Sequence, residues 1–180
     1  MRKILLVLPA LLIATPVTAQ DKVKRVVEPI QAASTDNLYR VNAERTPSGF
    51  VVPRFVSLKF SKVNGRTGPS RDHPIAWQYQ RRGLPLLIVA ETEMWRKVRD
   101  ISGDEAWVRK PALSGSRTVL ALQNTPLRSR PDPRAREVAR TDAQALLRLQ
   151  NCREGWCEVK SENGIKGWAR QDALWGARRP

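Results

Sequence analysis

Two cysteines, one histidine and six tryptophans are the residues best placed to do chemistry in this chain of 180 residues. Cys152 and Cys157 bracket Arg153-Glu154-Gly155-Trp156. A four-residue hairpin loop brings such a pair into the roughly 4.4–6.8 Å Cα separation of a disulfide. A thiol nucleophile would need a histidine base, and the single His73 lies far away in a proline-flanked loop. A disulfide is therefore the expected chemistry of the pair. No Ser/His/Asp set, glycine-rich phosphate loop or metal-ligand spacing can be assembled. Asp104/Glu105 and Glu154/Glu158 read as turn and strand-surface charges. The expectation is a chain that is not an enzyme, with no cofactor and no metal.

The tryptophans carry a different signal. Trp95 and Trp156 are 61 residues apart, and so are Val98 and Val159, Trp107 and Trp168, Leu113 and Leu174, and Gly115 and Gly176. Upstream, Arg66 matches Arg128 and Pro69 matches Pro131 at an offset of 62, which needs one gap. The chain from residue 56 thus reads as two copies of one unit, 56–115 and 118–176. Each unit must position its tryptophans with about 60 residues, near the lower limit for a self-sufficient core.

Those units read as short strands. Residues 55–60 alternate, Ile75, Trp77 and Tyr79 share one face at period 2, and 86–90 is a buried apolar run. Residues 95–99 and 106–109 flank the turn Ser102-Gly103-Asp104; 63–70 carries Asn-Gly and Gly-Pro turn signals. The second unit repeats this at 119–122, 146–149, 157–160 and 167–170. Residues 136–148 are rich in Ala and Leu, but the repeat register overrules a helix there. About five short strands per unit fit a small barrel better than an open sheet.

The ends and the charge set the surroundings. Arg2 and Lys3 precede an apolar run over 4–14, and Val17-Thr18-Ala19 places small residues at a cleavage site, the layout of a secretory signal peptide over 1–19. Residues 20–54 lack a sustained period and read as a flexible segment, with turn chemistry at Thr46-Pro47-Ser48-Gly49 and order beginning near Phe50 to Phe55. There are 32 basic residues against 17 acidic, a formal charge of +15. For an exported protein the available anions are headgroups, glycans, wall polymers and acidic proteins, so nucleic acid is not expected as a partner. Arg81-Arg82 and the five arginines of 128–140 are the densest basic patches, fit for weak contact with an anionic surface.

At this point the residues resemble a family. Val63-Asn-Gly-Arg-Thr-Gly-Pro-Ser70 looks like the L-N-V-R-x-G-P-S opening of bacterial SH3-like domains, and Trp95-Arg-Lys-Val98 is similar to their W-x-x-V hairpin strand. Gly103-Asp-Glu-Ala-Trp-Val108 and Gly164-Ile-Lys-Gly-Trp-Ala169 resemble the closing G-x-x-G-W-V strand, each with a Leu six residues beyond its Trp. Gly65 stands where the family has an apolar residue, and Thr125-Pro126-Leu127 departs from the opening in the second copy. The resemblance implies an all-β chain of two tandem SH3-like barrels, 55–116 and 117–177.

Alternation from Val98 and Val159 places Trp95 and Trp156 on the face opposite the core. In eukaryotic SH3 domains, which the family resembles in fold, a Trp at this strand start lines the peptide groove. The expected ligand surface is Trp95, Trp107, Trp156 and Trp168, with Trp77 and Tyr79. The Pro and Tyr that complete a proline-rich-peptide groove are missing from Arg109-Lys-Pro-Ala112 and Arg170-Gln-Asp-Ala173, so PxxP recognition is not implied. The resulting expectation is an exported binding module, periplasmic or extracellular, that recognises a cell-envelope component such as peptidoglycan. The alternative is a periplasmic protein–protein adaptor or accessory domain pair, with an envelope protein as partner.

Overall fold

The computed structural model describes residues 42–178; the expected signal peptide and most of the flexible segment lie outside the described residues. The first unit contributes β1 (Arg54–Leu58), β2 (Val63–Arg66), β3 (Ile75–Tyr79), β4 (Pro85–Glu91), β5 (Trp95–Arg99), β6 (Glu105–Arg109) and β7 (Leu113–Ser114). The second contributes β8 (Thr118–Ala121), β9 (Thr125–Arg128), β10 (Glu137–Thr141), β11 (Leu146–Arg153), β12 (Trp156–Lys160), β13 (Lys166–Arg170) and β14 (Leu174–Trp175). Each unit forms one seven-stranded antiparallel sheet, in the orders β3-β2-β6-β5-β4-β1-β7 and β10-β9-β13-β12-β11-β8-β14. Strand for strand the orders coincide, and no α-helix occurs among the described residues.

The sheets differ from the barrels expected: no ladder joins β3 to β7 or β10 to β14. The strand that would have to close the sheet, β7, is two residues long and bonds only β1. The sheet nevertheless curls on itself. Leu58, Val63, Tyr79, Ile88, Val98 and Val108, drawn from six strands, meet in one buried cluster. Bulges between Gly65 and Arg66 and between Ile88 and Ala90 bend the ladders enough for this. The 136–148 stretch is strand β10 and the start of β11, as the repeat register required.

A size exchange between the copies accommodates Gly65. A Cβ on Gly65 would lie 2.8 Å from the Cβ of Ala106, and one on Gly167 would lie 2.7 Å from that of Leu127. By the repeat offset, Gly65 corresponds to Leu127 and Ala106 to Gly167. The first unit therefore sets glycine against alanine where the second sets leucine against glycine, and all four are buried.

A second exchange concerns how the β4–β5 hairpin is fastened. Cys152 and Cys157 are direct cross-strand partners in β11–β12, bridged with a Cα separation of 4.0 Å. The separation is below the expected range, and the turn is two residues rather than four, so the cysteines oppose each other directly in the ladder. Glu154 (φ 51°) and Gly155 (φ 75°) both adopt the left-handed conformation of a tight hairpin. The corresponding cross-strand pair of the first unit is Glu91 and Arg96, joined by a salt bridge of 2.9 Å. Both side chains are almost fully buried. Arg54 reaches the same carboxylate at 2.6 Å, and Ser48 donates to it through its backbone N–H and its hydroxyl. This attaches the chain from Ser48 onward, slightly ahead of the expected start of order.

Closing so short a loop stabilises by about 2 kcal/mol in the chain-entropy model. Reduction with dithiothreitol is therefore expected to lower the Tm by roughly 4–8 °C. A Tm unmoved by complete reduction would show that the bridge contributes nothing to stability.

The units share a seam. Phe55 and Leu87 of the first pack with Leu120 and Trp175 of the second, all buried. Phe55 and Trp175 meet edge to face at 5.2 Å. At the side of this cluster the Thr118 hydroxyl donates to the Gly83 carbonyl at 2.6 Å, and Arg81 donates to the Gln144 carbonyl at 2.9 Å.

Candidate functional site: paired grooves floored by tryptophan

The β5–β6 ladder aligns Trp95 with Arg109, Lys97 with Trp107 and Arg99 with Glu105. Cross-strand partners project to the same side, so these six share one face. The intervening Val98, Ala106 and Val108 turn into the core and are buried. In the second unit Trp156 faces Arg170 and Glu158 faces Trp168, while Cys157, Val159 and Ala169 are buried. The register thus puts Trp95 and Trp156 opposite the core valines. They do not form open aromatic surfaces, being only 8% and 7% exposed.

Each Trp contributes to the floor of a groove. In the first unit a groove of about 410 Å³ gathers Trp95, Phe60 and Asn64 with the cations Lys62, Arg66, Arg71 and Arg109. In the second, one of about 390 Å³ gathers Trp156, Pro126 and Pro133 with Arg128, Arg170 and Asp172. Arg66 and Arg109 correspond to Arg128 and Arg170 in the repeat. Arg66 donates to the His73 carbonyl at 2.6 Å and Arg128 to the Ala135 carbonyl at 3.0 Å, so both pin the long loop beside the groove. The Arg170 guanidinium lies 5.6 Å over the Trp156 ring and 3.3 Å from Asp172. Pro111 stands in the place of Asp172 in the first unit. One groove therefore carries four cations and no acid, the other two cations and one acid.

The neighbouring charges are satisfied locally. Glu105 accepts from Lys97 and Arg99, each at 2.6 Å. Burial pushes its carboxyl up, but these hydrogen bonds and charges outweigh burial and hold it below the ordinary value. Among the described residues no three His, Cys, Asp or Glu side chains come together as a metal set. His73 is held by the Ser70 hydroxyl at 2.8 Å.

The structure does not gather all the expected surface residues. Trp107 and Trp168 lie on the same strand face as the grooves and are half-buried, with the Arg153 guanidinium 4.8 Å over the Trp168 ring. Trp77 and Tyr79 meet edge to face at 6.0 Å, packed on the first core, and do not line its groove. Burial pushes the Tyr79 phenol well above its ordinary pKa. Sequence reasoning missed the groove arginines. The signal was present, since Arg109 and Arg170 are separated by the same 61 residues as the tryptophans they face.

Duplicated antiparallel sheets, each with a cationic groove over a tryptophan, define a tandem of small all-β modules. The bacterial SH3 domain family matches residues 59–115 and again 122–176, so the chain belongs to that family, in two copies. Bacterial SH3 domains are binding modules. No curated protein matches the chain. Among solved structures it is similar to NlpC2 from Trichomonas vaginalis, at 15% identity and a TM-score of 0.32 over 68% of this chain. It is also similar to NlpC1 from the same organism, at 14% identity and a TM-score of 0.32 over 80% of this chain. The chain spans 48% of each of those structures.

Proposed function

We propose that the chain is a non-catalytic, exported tandem of SH3-like modules, bounded at 55–116 and 117–177, that binds an envelope polymer. Peptidoglycan and its acidic peptide stems are the first candidates. The observation that carries this reading is the repeated pairing of a groove tryptophan with a cross-strand arginine, Trp95 with Arg109 and Trp156 with Arg170. The apolar ring edge offers a face for a peptide or sugar, and the guanidinium supplies charge-assisted hydrogen bonds to carboxylates. Family membership, a disulfide suited to an oxidising compartment and the signal-peptide layout of residues 1–19 support an envelope location, periplasmic or extracellular.

The test is a pull-down with purified peptidoglycan sacculi across a salt series. Wild type is compared with Arg109→Gln/Arg170→Gln and with Arg130→Gln/Arg134→Gln, which removes equal charge from an exposed loop. Binding by the groove variant is expected to fall about tenfold or more at about 0.3 M salt, with the loop variant unchanged. Equal loss in both variants would reduce the interaction to nonspecific charge and defeat the proposal.

A further inference from the structure

We propose that the cleft between the two units is a separate binding site for a phosphate-bearing ligand. The sequence singles out Arg81-Arg82, and the grooves leave that pair unused. The structure places it at the seam. There, residues 81–83 of the first unit face Thr118, 146–148 and 160–162 of the second across a cleft of about 530 Å³. Four cations line it, Arg81, Arg82, Arg148 and Lys160, against the single acid Glu162. None of these five takes part in a salt bridge among the described residues. Unlike those of the grooves, the cations here are contributed by both units.

Two hydrogen bonds across the seam join the walls, and the four cationic side chains on them are exposed. Arg81 is held by the Gln144 carbonyl, and Thr118 by the Gly83 carbonyl. Gly83 has φ 78° and approaches Leu146 so closely that a Cβ would sit 3.0 Å from its Cδ2. No tryptophan lines the cleft, so recognition there rests on charge and hydrogen bonding instead of stacking. A phosphate monoester is nearly dianionic at neutral pH and offers three acceptor oxygens, which guanidinium forks engage in pairs. The volume leaves room for the group that bears the phosphate, whether a soluble sugar or a lipid headgroup.

The experiment is calorimetric titration of the full chain with inorganic pyrophosphate near physiological ionic strength. Saturable binding is expected, weakened about tenfold or more by Arg82→Gln/Arg148→Gln and strengthened by Glu162→Gln. The groove variant Arg71→Gln/Arg109→Gln removes the same charge and is expected to bind like wild type. A second arm uses sedimentation with vesicles of equal parts phosphatidylcholine and phosphatidic acid. Vesicle binding lost in the cleft variant assigns a lipid phosphate; pyrophosphate binding without vesicle binding assigns a soluble one. Absence of saturable pyrophosphate binding, or equal weakening in cleft and groove variants, overturns the proposal.

Discussion

Glu91→Ala is expected to destabilise the first unit by about 3–5 kcal/mol, the cost of leaving a buried ion without its partner. The Arg96 side chain is 3% exposed and that of Glu91 2%, so water cannot replace the lost carboxylate. Arg54 and both donors of Ser48 lose their acceptor in the same step. In thermal denaturation the variant should melt on the order of 10 °C below wild type. A shift equivalent to less than about 1 kcal/mol would show that the cluster is no more than a surface salt bridge.

The same carboxylate gives the unit an acid limit. Burial alone would raise the Glu91 pKa, but the bonds from Ser48 and Arg54, with the Arg54 charge, hold it below its ordinary value. A lowered folded-state pKa contributes stability that is complete above the unfolded value near 4.5 and is lost as pH falls through the folded one. Wild type should therefore lose stability below about pH 4.5 more steeply than Glu91→Ala. Glu91→Cys/Arg96→Cys should recover much of the loss under oxidising conditions, because Cys152 and Cys157 are bridged at the corresponding positions.

The second large effect is expected at the seam. Trp175→Ala removes a side chain that is 5% exposed and packs edge to face on Phe55, at a cost of about 3–5 kcal/mol. Trp175 also pairs with Leu120 in the β14–β8 ladder, so the damage falls first on the second unit. Wild type should show one calorimetric transition, since the Phe55–Leu87–Leu120–Trp175 cluster couples the units. The variant should show two, with the second unit melting first. Two independent transitions already present in wild type would mean that the seam transmits little.

The repeat was legible because tryptophans are rare and their 61-residue spacing survives in both copies. The disulfide and the β4–β5–β6 meander followed from local patterns. Strands β2 and β9 were hidden because Asn64-Gly65 and Thr125-Pro126 carry turn chemistry yet are held in ladders by their neighbours. Strands β7 and β14 are two residues each, too short to leave a period. Phe60 looked like the end of a core strand, but β1 stops at Leu58 and Phe60 is 51% exposed at the groove. The cationic lining was only half legible: the 61-residue spacing marks Arg109 and Arg170 as a matched pair, but which residues they face is set across ladders, and alternation along one strand does not reveal that. The cleft of Arg81, Arg82, Arg148 and Lys160 depends on how two units meet, about which a single unit's pattern is silent.

The exchange of sizes between Gly65/Ala106 and Leu127/Gly167 has a consequence for how the chain avoids becoming entangled with itself. Tandem near-copies invite strand swapping, in which an element of one copy folds into the other. Here the two wrong pairings are mismatched in opposite senses. Leu127 brought against Ala106 would force a leucine into space the first unit fills with a methyl group, while Gly65 against Gly167 would leave a hole. Overpacking and voids each cost on the order of 1–3 kcal/mol, so both errors are disfavoured while both native pairings fit. The two buried pairs thus work as a lock and key written into the backbone, letting each half of a duplicated chain recognise its own strands.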